Sequence, residues 1–282
     1  SYINPSYQCL LISKGVLDYE LKIIPTYFRF NWLDPYFDIN KDGTTDFYAQ
    51  WTAHSDQFYP IPNGKNMIGI LNKDFSKFNY SVLDDGQFQD YASICDLDNN
   101  GISDLIIGGM DLGYNVYGSQ GGLYHTGNGP RILMNYVNGV ASNTIQLIDA
   151  AFETKWTKQG RFDETESIAY ADLNNDGYTD ILITKTHDTF NPNSDGNIFS
   201  LKGERLYEVF ENIGGKSFKD VTDKYFPNET NYIKIPHTNP GDFEPSQGKL
   251  VDVDSDGLLD FVFVDRRWYF KNINNTFVLQ YN

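Results

Sequence analysis

The chain has little of what fastens small or cofactor-bearing proteins. It carries two cysteines, Cys9 and Cys95, in 282 residues, which excludes a disulfide framework and a cysteine-rich zinc module. Both sit in apolar, strand-like runs, and a buried free thiol is the preferred reading for each over a mutual bridge. No stretch approaches the roughly 20 apolar residues of a membrane-spanning helix, so no membrane span is expected. Only four histidines are present. A nucleophile elbow and a phosphate-cradling glycine loop are missing as well. Basic residues are outnumbered 22 to 38 by acidic ones, for a formal net charge of −16, which argues against a nucleic-acid partner. The chain opens Ser1-Tyr2-Ile3-Asn4 with no signal peptide, which reads as a mature, processed or partial chain.

What is abundant is acid, and it is concentrated. Four nonamers repeat one pattern: Asp38-Ile-Asn-Lys-Asp-Gly-Thr-Thr-Asp46, Asp96-Leu-Asp-Asn-Asn-Gly-Ile-Ser-Asp104, Asp172-Leu-Asn-Asn-Asp-Gly-Tyr-Thr-Asp180 and Asp252-Val-Asp-Ser-Asp-Gly-Leu-Leu-Asp260. Side-chain oxygen stands at position 1 (Asp38, Asp96, Asp172, Asp252), position 3 (Asn40, Asp98, Asn174, Asp254) and position 5 (Asp42, Asn100, Asp176, Asp256). Position 6 is glycine throughout, the residue suited to the positive φ of a tight loop. Position 7 (Thr44, Ile102, Tyr178, Leu258) varies in type, as a backbone-carbonyl ligand allows. Position 9 closes each loop with Asp46, Asp104, Asp180 or Asp260. A hard cation such as Ca²⁺ takes six to eight oxygens of this kind. About four structural Ca²⁺ ions are therefore expected, and they would bring the net charge to about −8.

The nonamers are not EF-hands. An EF-hand needs a bidentate Glu at position 12 and a following helix, whereas position 12 here is Ala49, Ile107, Ile183 or Phe263. The residues after position 9 are short β-branched and aromatic runs that read as buried strands, so each loop joins strand to strand. Asp/Asn/Gly clusters are ordinarily turns, and a single copy would leave that reading level with the metal one. Four copies with acids at 1 and 9 and glycine at 6 outweigh it.

The repeat extends beyond the loop. An apolar strand ending near Asn72, Asn135, Asn212 or Asn272 follows each copy, then a polar turn and a further strand. Four antiparallel strands per unit, with loops 58, 76 and 80 residues apart, match the blades of a β-propeller with long insertions. Ala171-Asp-Leu-Asn-Asn-Asp-Gly-Tyr-Thr-Asp-Ile-Leu-Ile183 and Asp104-Leu-Ile-Ile-Gly-Gly109 resemble the FG-GAP or VCBS repeat of integrin α-subunit propellers, fungal lectins and bacterial surface proteins. The resemblance covers residues 26–282 and implies an all-β, calcium-braced propeller, with calcium loops between the first two strands of each blade. Four complete blades are visible. Residues 1–25 read as two strands of a partial blade, which implies that a missing upstream segment or another chain completes the ring. Family functions run from adhesion to sugar binding, so the resemblance speaks to fold more than to task.

In such a fold the calcium loops lie on one face, and three long connections fall on the other: Trp51 to Lys65, Gly108 to Pro130 and Lys185 to Arg205. Long irregular loops commonly carry function. His54, His125 and His187 sit one in each, and His237 lies in a connection assigned to the same face. With Trp51, Tyr59, Tyr124 and Phe190 they form the candidate ligand surface. The plain alternative is that loops collect polar residues. The resulting expectation is an extracellular or cell-surface module that binds protein or carbohydrate through the long-loop face. Three sequons, at Asn79, Asn228 and Asn274, agree with that location. A polysaccharide lyase or hydrolase working from the histidine face, and an architectural subunit of a surface assembly, stay open as alternatives. The 16% aromatic content reads mainly as strand and core packing.

Overall fold

The computed structural model describes residues 6–15, 18–26, 38–44, 46–49, 67–82, 92–108, 110–112, 130–137, 140–147, 162–188, 207–227, 248–263 and 268–281. Within them the chain is mostly β, as expected, and every paired strand is antiparallel. β1 (Ser6–Gly15) and β2 (Asp18–Thr26) form a separate two-stranded hairpin, in the region expected to supply two strands. A three-stranded sheet follows, made of β3 (Phe47–Ala49), β4 (Met67–Leu71) and β5 (Phe78–Val82). The segment expected to give this unit its first strand, 27–37, lies outside the described residues.

The second unit is a four-stranded meander of β6 (Ala92–Cys95), β7 (Asp104–Ile107), β9 (Arg131–Met134) and β10 (Asn143–Gln146). The third consists of β11 (Phe162–Ala171), β12 (Asp180–Asp188), β13 (Tyr207–Ile213) and β14 (Ser217–Asp220), followed by a one-turn helix α1 (Thr222–Tyr225). The fourth is β15 (Gly248–Val251), β16 (Asp260–Phe263), β17 (Trp268–Asn272) and β18 (Phe277–Tyr281). In each, strands adjacent in sequence are adjacent in space, the arrangement that short antiparallel connections favour.

Two features differ from expectation. β8 (Met110–Leu112), inside the supposed loop Gly108 to Pro130, pairs with the start of β11 and makes the third sheet five-stranded. β12 continues past Lys185 to Asp188, paired with Phe162–Thr165 of β11 across a register shift at Thr165/Ser167. Lys185-Thr186-His187-Asp188 contains no apolar residue, so the hydrophobic pattern ends at Thr184. The ladder does not, because strand pairing is made by backbone groups that need no apolar side chain.

The apolar runs of the second and third units are continuous because those sheets are covered on both faces. Along β7, Leu105 and Ile107 share a buried cluster with Ile39 and Ile68 of the first unit. Ile106 between them points the other way, into a cluster with Ile168, Ile181 and Ile183 of the third. Along β12 the alternation repeats: Ile181 and Ile183 face the second unit, and Leu182 joins Phe261, Phe263, Phe270 and Phe277 of the fourth. The period-two alternation of a strand is thus spent on two neighbours. Each fully buried Ile or Leu contributes roughly 1.5–3 kcal/mol. Aromatics fill the last interface, where Tyr207 stacks on Phe226 at 5.0 Å between ring centres and meets Phe270 edge-on at 5.0 Å. The first strands of the third and fourth units also touch, since Gly248 of β15 donates its N–H to Ser167 Oγ of β11 at 3.1 Å.

Candidate metal centres

The four nonamers fold alike. In the last three units the loop joins the first strand to the second, and in the first unit it precedes β3. The position 1 carboxylate closes the turn by accepting two backbone N–H groups, from positions 5 and 6. In the third loop Asp176 N–H and Gly177 N–H reach Asp172 at 3.0 and 2.8 Å. The corresponding pairs are Asp42 and Gly43 on Asp38 at 3.1 and 2.9 Å, Asn100 and Gly101 on Asp96 at 3.0 and 2.7 Å, and Asp256 and Gly257 on Asp252 at 3.1 and 3.0 Å. Position 5 then accepts from position 7, as in Thr44 N–H to Asp42 at 2.9 Å and Ile102 N–H to Asn100 at 2.7 Å.

The glycine at position 6 does adopt positive φ, between 84° and 91° in the four copies. So does position 4, where Lys41, Asn99, Asn175 and Ser255 lie at φ 53° to 61°. This second left-handed site was not anticipated. Asparagine in two of the four copies was the available signal, because its short polar side chain tolerates that region.

Position 9 is a buried hub. Asp46, Asp104, Asp180 and Asp260 are at most 1% exposed, and both oxygens of each accept backbone N–H groups. One comes from position 2: Ile39, Leu97, Leu173 or Val253, at 2.7 to 3.1 Å. The other comes from the third strand of the unit or the residue ending it: Leu71, Asn135, Asn212 or Asn272, at 2.6 to 2.9 Å. Burial pushes Asp46 and Asp180 up to about 6 despite these amides, and the other loop acids add to the rise. Asp104 is raised for the same reasons.

The donor set suits a hard cation. Carboxylate oxygens of Asp96, Asp98 and Asp104 lie within 4.8 Å of one another, and so do those of Asp252, Asp254 and Asp260. The first and third loops have Asn40 and Asn174 at position 3, amide oxygens of equivalent reach. In the second loop, Asp98 Oδ1 is buried and makes no hydrogen bond among the described residues. A buried carboxylate oxygen with no donor is costly, and an ion between positions 1, 3 and 9 would satisfy it. Calcium supplies such a site with charge neutralisation and a rigid centre for the loop.

The third strands bring charges that the nonamer pattern did not reveal. Glu211, one residue before Asn212, accepts from Asn174 Nδ2 at 2.8 Å. Lys271, at the same place before Asn272, contacts Asp254 directly and lies 3.5 Å from Asp256. That contact holds Asp254 below the ordinary carboxylate range and Lys271 above the ordinary amine range. Neighbouring loops are joined in series: Lys41 donates to the Gly101 carbonyl at 2.8 Å and Asn99 to the Gly177 carbonyl at 2.9 Å.

Of the candidate ligand surface, Trp51, His54, Tyr59, Tyr124, His125, Phe190 and His237 lie outside the described residues. His187 is in strand β12 rather than in a loop, in register with Asp163 of β11, which is itself in register with Asp111 of β8. Cys95 is a free, half-buried thiol whose ionisation is pushed up by burial.

The chain matches no protein-family model and no curated protein.

Proposed function

We propose that the chain is a calcium-braced β-propeller module of the FG-GAP or VCBS kind, working outside the cell or at its surface, with protein or glycan recognition as its task. The observation that carries the calcium reading is Asp98 Oδ1, a buried carboxylate oxygen without a donor at the centre of an all-oxygen loop. The fourfold recurrence of the same backbone-held geometry adds weight, and in the second and fourth loops a further acid, Asp98 or Asp254, stands at position 3 within 4.8 Å of the acids at positions 1 and 9. The propeller reading rests on the stacking of consecutive meanders, the second and third each buried on both faces, with the first strands of the third and fourth in contact at β11/β15.

Calcium in this reading is a brace and not the recognition site. The loops and the turns joining third to fourth strands occupy one end of the sheets, as the 3.5 Å approach of Asn135 Nδ2 to Asp98 illustrates. Recognition in this reading belongs to the connections that join second strands to third. The test of the brace is thermal unfolding in EDTA and in millimolar Ca²⁺. A rise of several degrees with Ca²⁺, absent with Mg²⁺, is expected, and identical melting in chelator and in calcium overturns the reading.

A further inference from the structure

We infer that the fourth loop carries its own cation, the Lys271 ammonium, so that the chain binds three calcium ions and not four. This rests on the calcium reading of the other loops and departs from the count that the repeated pattern suggests.

The buried carboxylate at position 9 sets what stands beside each loop. Because the third strand donates a backbone N–H to that carboxylate, the residue one place earlier on the strand is fixed beside the loop in every unit. Those residues are Ile70, Met134, Glu211 and Lys271. In the first two units they are apolar: Ile70 packs against the cluster shared with the second unit, and Met134 is buried in the cluster shared with the third. In the third unit the residue is acidic, and Glu211 reaches position 3 through Asn174 at 2.8 Å. In the fourth it is basic. Lys271 Nζ touches Asp254 Oδ2 at position 3 and stands 3.5 Å from Asp256 Oδ2 at position 5. These are two of the oxygens that a bound ion would need.

The charge count follows the same division. The first three loops hold three carboxylates each, whereas the fourth holds four: Asp252, Asp254, Asp256 and Asp260. The extra acid is matched by the added lysine. A divalent ion entering this loop would have to displace a tethered ammonium from two of its ligands and then remain close to it, at the short range where like charges repel strongly. The tether also gives the ammonium a high effective concentration at the site.

The second loop also has a lysine nearby, and the difference is informative. Lys41 Nζ lies 3.9 Å from Asp96 and donates to the Gly101 carbonyl. It bridges two loops at the rim, while Asp98 Oδ1 at position 3 stays without a donor. Lys271 instead occupies positions 3 and 5.

Native mass spectrometry of the intact chain, titrated with calcium to about 1 mM, decides the matter. Three ions are expected on the unaltered chain and four on Lys271→Met, which keeps the apolar stem and removes the charge. Lys271→Gln should behave like Lys271→Met, with unchanged circular dichroism showing that both fold. Four ions on the unaltered chain, or three on both variants, would overturn the inference and leave calcium binding intact. No ion on any of the three would remove the calcium reading, and this inference with it.

Discussion

Asn212, at the end of the third strand of its unit, donates its side-chain amide to the backbone carbonyl of Leu97 in the preceding unit, 2.8 Å away and 115 residues back in the chain. The same amide group reaches the Thr179 carbonyl at 3.1 Å, its oxygen accepts Gly215 N–H at 2.8 Å, and its backbone N–H holds Asp180 at 2.8 Å. One fully buried residue thus joins two loops, a turn and a strand.

Asn212→Ala removes the side-chain bonds and leaves buried backbone groups unpaired. At roughly 1–3 kcal/mol for each group stranded, a loss of about 3 kcal/mol is expected in urea unfolding. Asn212→Asp should lose as much, because a carboxylate cannot donate to the Leu97 and Thr179 carbonyls.

Gly214 and Gly215 both have positive φ, at 64° and 72°, but their surroundings differ. A Cβ on Gly215 would meet the backbone Cα of Asp98 at 2.7 Å, whereas nothing lies within 4 Å of one on Gly214. Gly214→Ala is expected to cost about 1 kcal/mol, the backbone term alone. Gly215→Ala should cost distinctly more and lower calcium affinity as well, because Asp98 sits in the second loop. Chemical denaturation and calcium titration of the two variants side by side check this, and equal behaviour counts against the contact.

Asp180 and Asp172 close the same loop in different ways. Asp180 is buried and holds Leu173 N–H and Asn212 N–H at 3.0 and 2.8 Å through protein groups alone. Asp180→Ala should therefore destabilise in EDTA too, by about 3 kcal/mol. Asp172 is less buried and holds turn amides that water can serve. Asp172→Ala should change little in EDTA and remove one ion's share of the stabilisation seen with calcium.

Asp46 and Asp180 give the metal-free chain an unusual pH response. Asp46 and Asp180 have folded values of about 6 against an ordinary 3.8. Between about pH 4 and pH 6 the unfolded chain has released these protons while the folded chain keeps them, so stability falls as pH rises through that window. The loss is on the order of 2–3 kcal/mol for each group. Unfolding in EDTA should thus show a contribution from these two groups that favours the folded chain more near pH 4.5 than near pH 7. Saturating calcium holds the carboxylates ionised and should abolish or reverse the trend.

Much of the local design is legible in the nonamers. The acid at 1 and the glycine at 6 are one turn's own requirements, and Asp172 closing on Asp176 and Gly177 involves residues four and five places apart. The buried strands after each loop follow from runs such as Leu105-Ile106-Ile107. The left-handed position 4 is only half legible, because Lys41 and Ser255 occupy it as well as asparagine. The reach of β12 to Asp188 leaves no trace in hydrophobicity, since it depends on backbone pairing with β11.

The sequence by itself determined the turn geometry of the loops and the strand that follows each loop, because these depend on residues within about ten places of one another. Only the tertiary structure decided what each loop meets. The position 9 carboxylates are bound by third strands 12 to 32 residues away, and that contact places Glu211 beside the third loop and Lys271 inside the fourth. A charge delivered from another strand leaves no mark in the pattern of the loop it enters. Four near-identical nonamers can therefore differ in the charges that surround them.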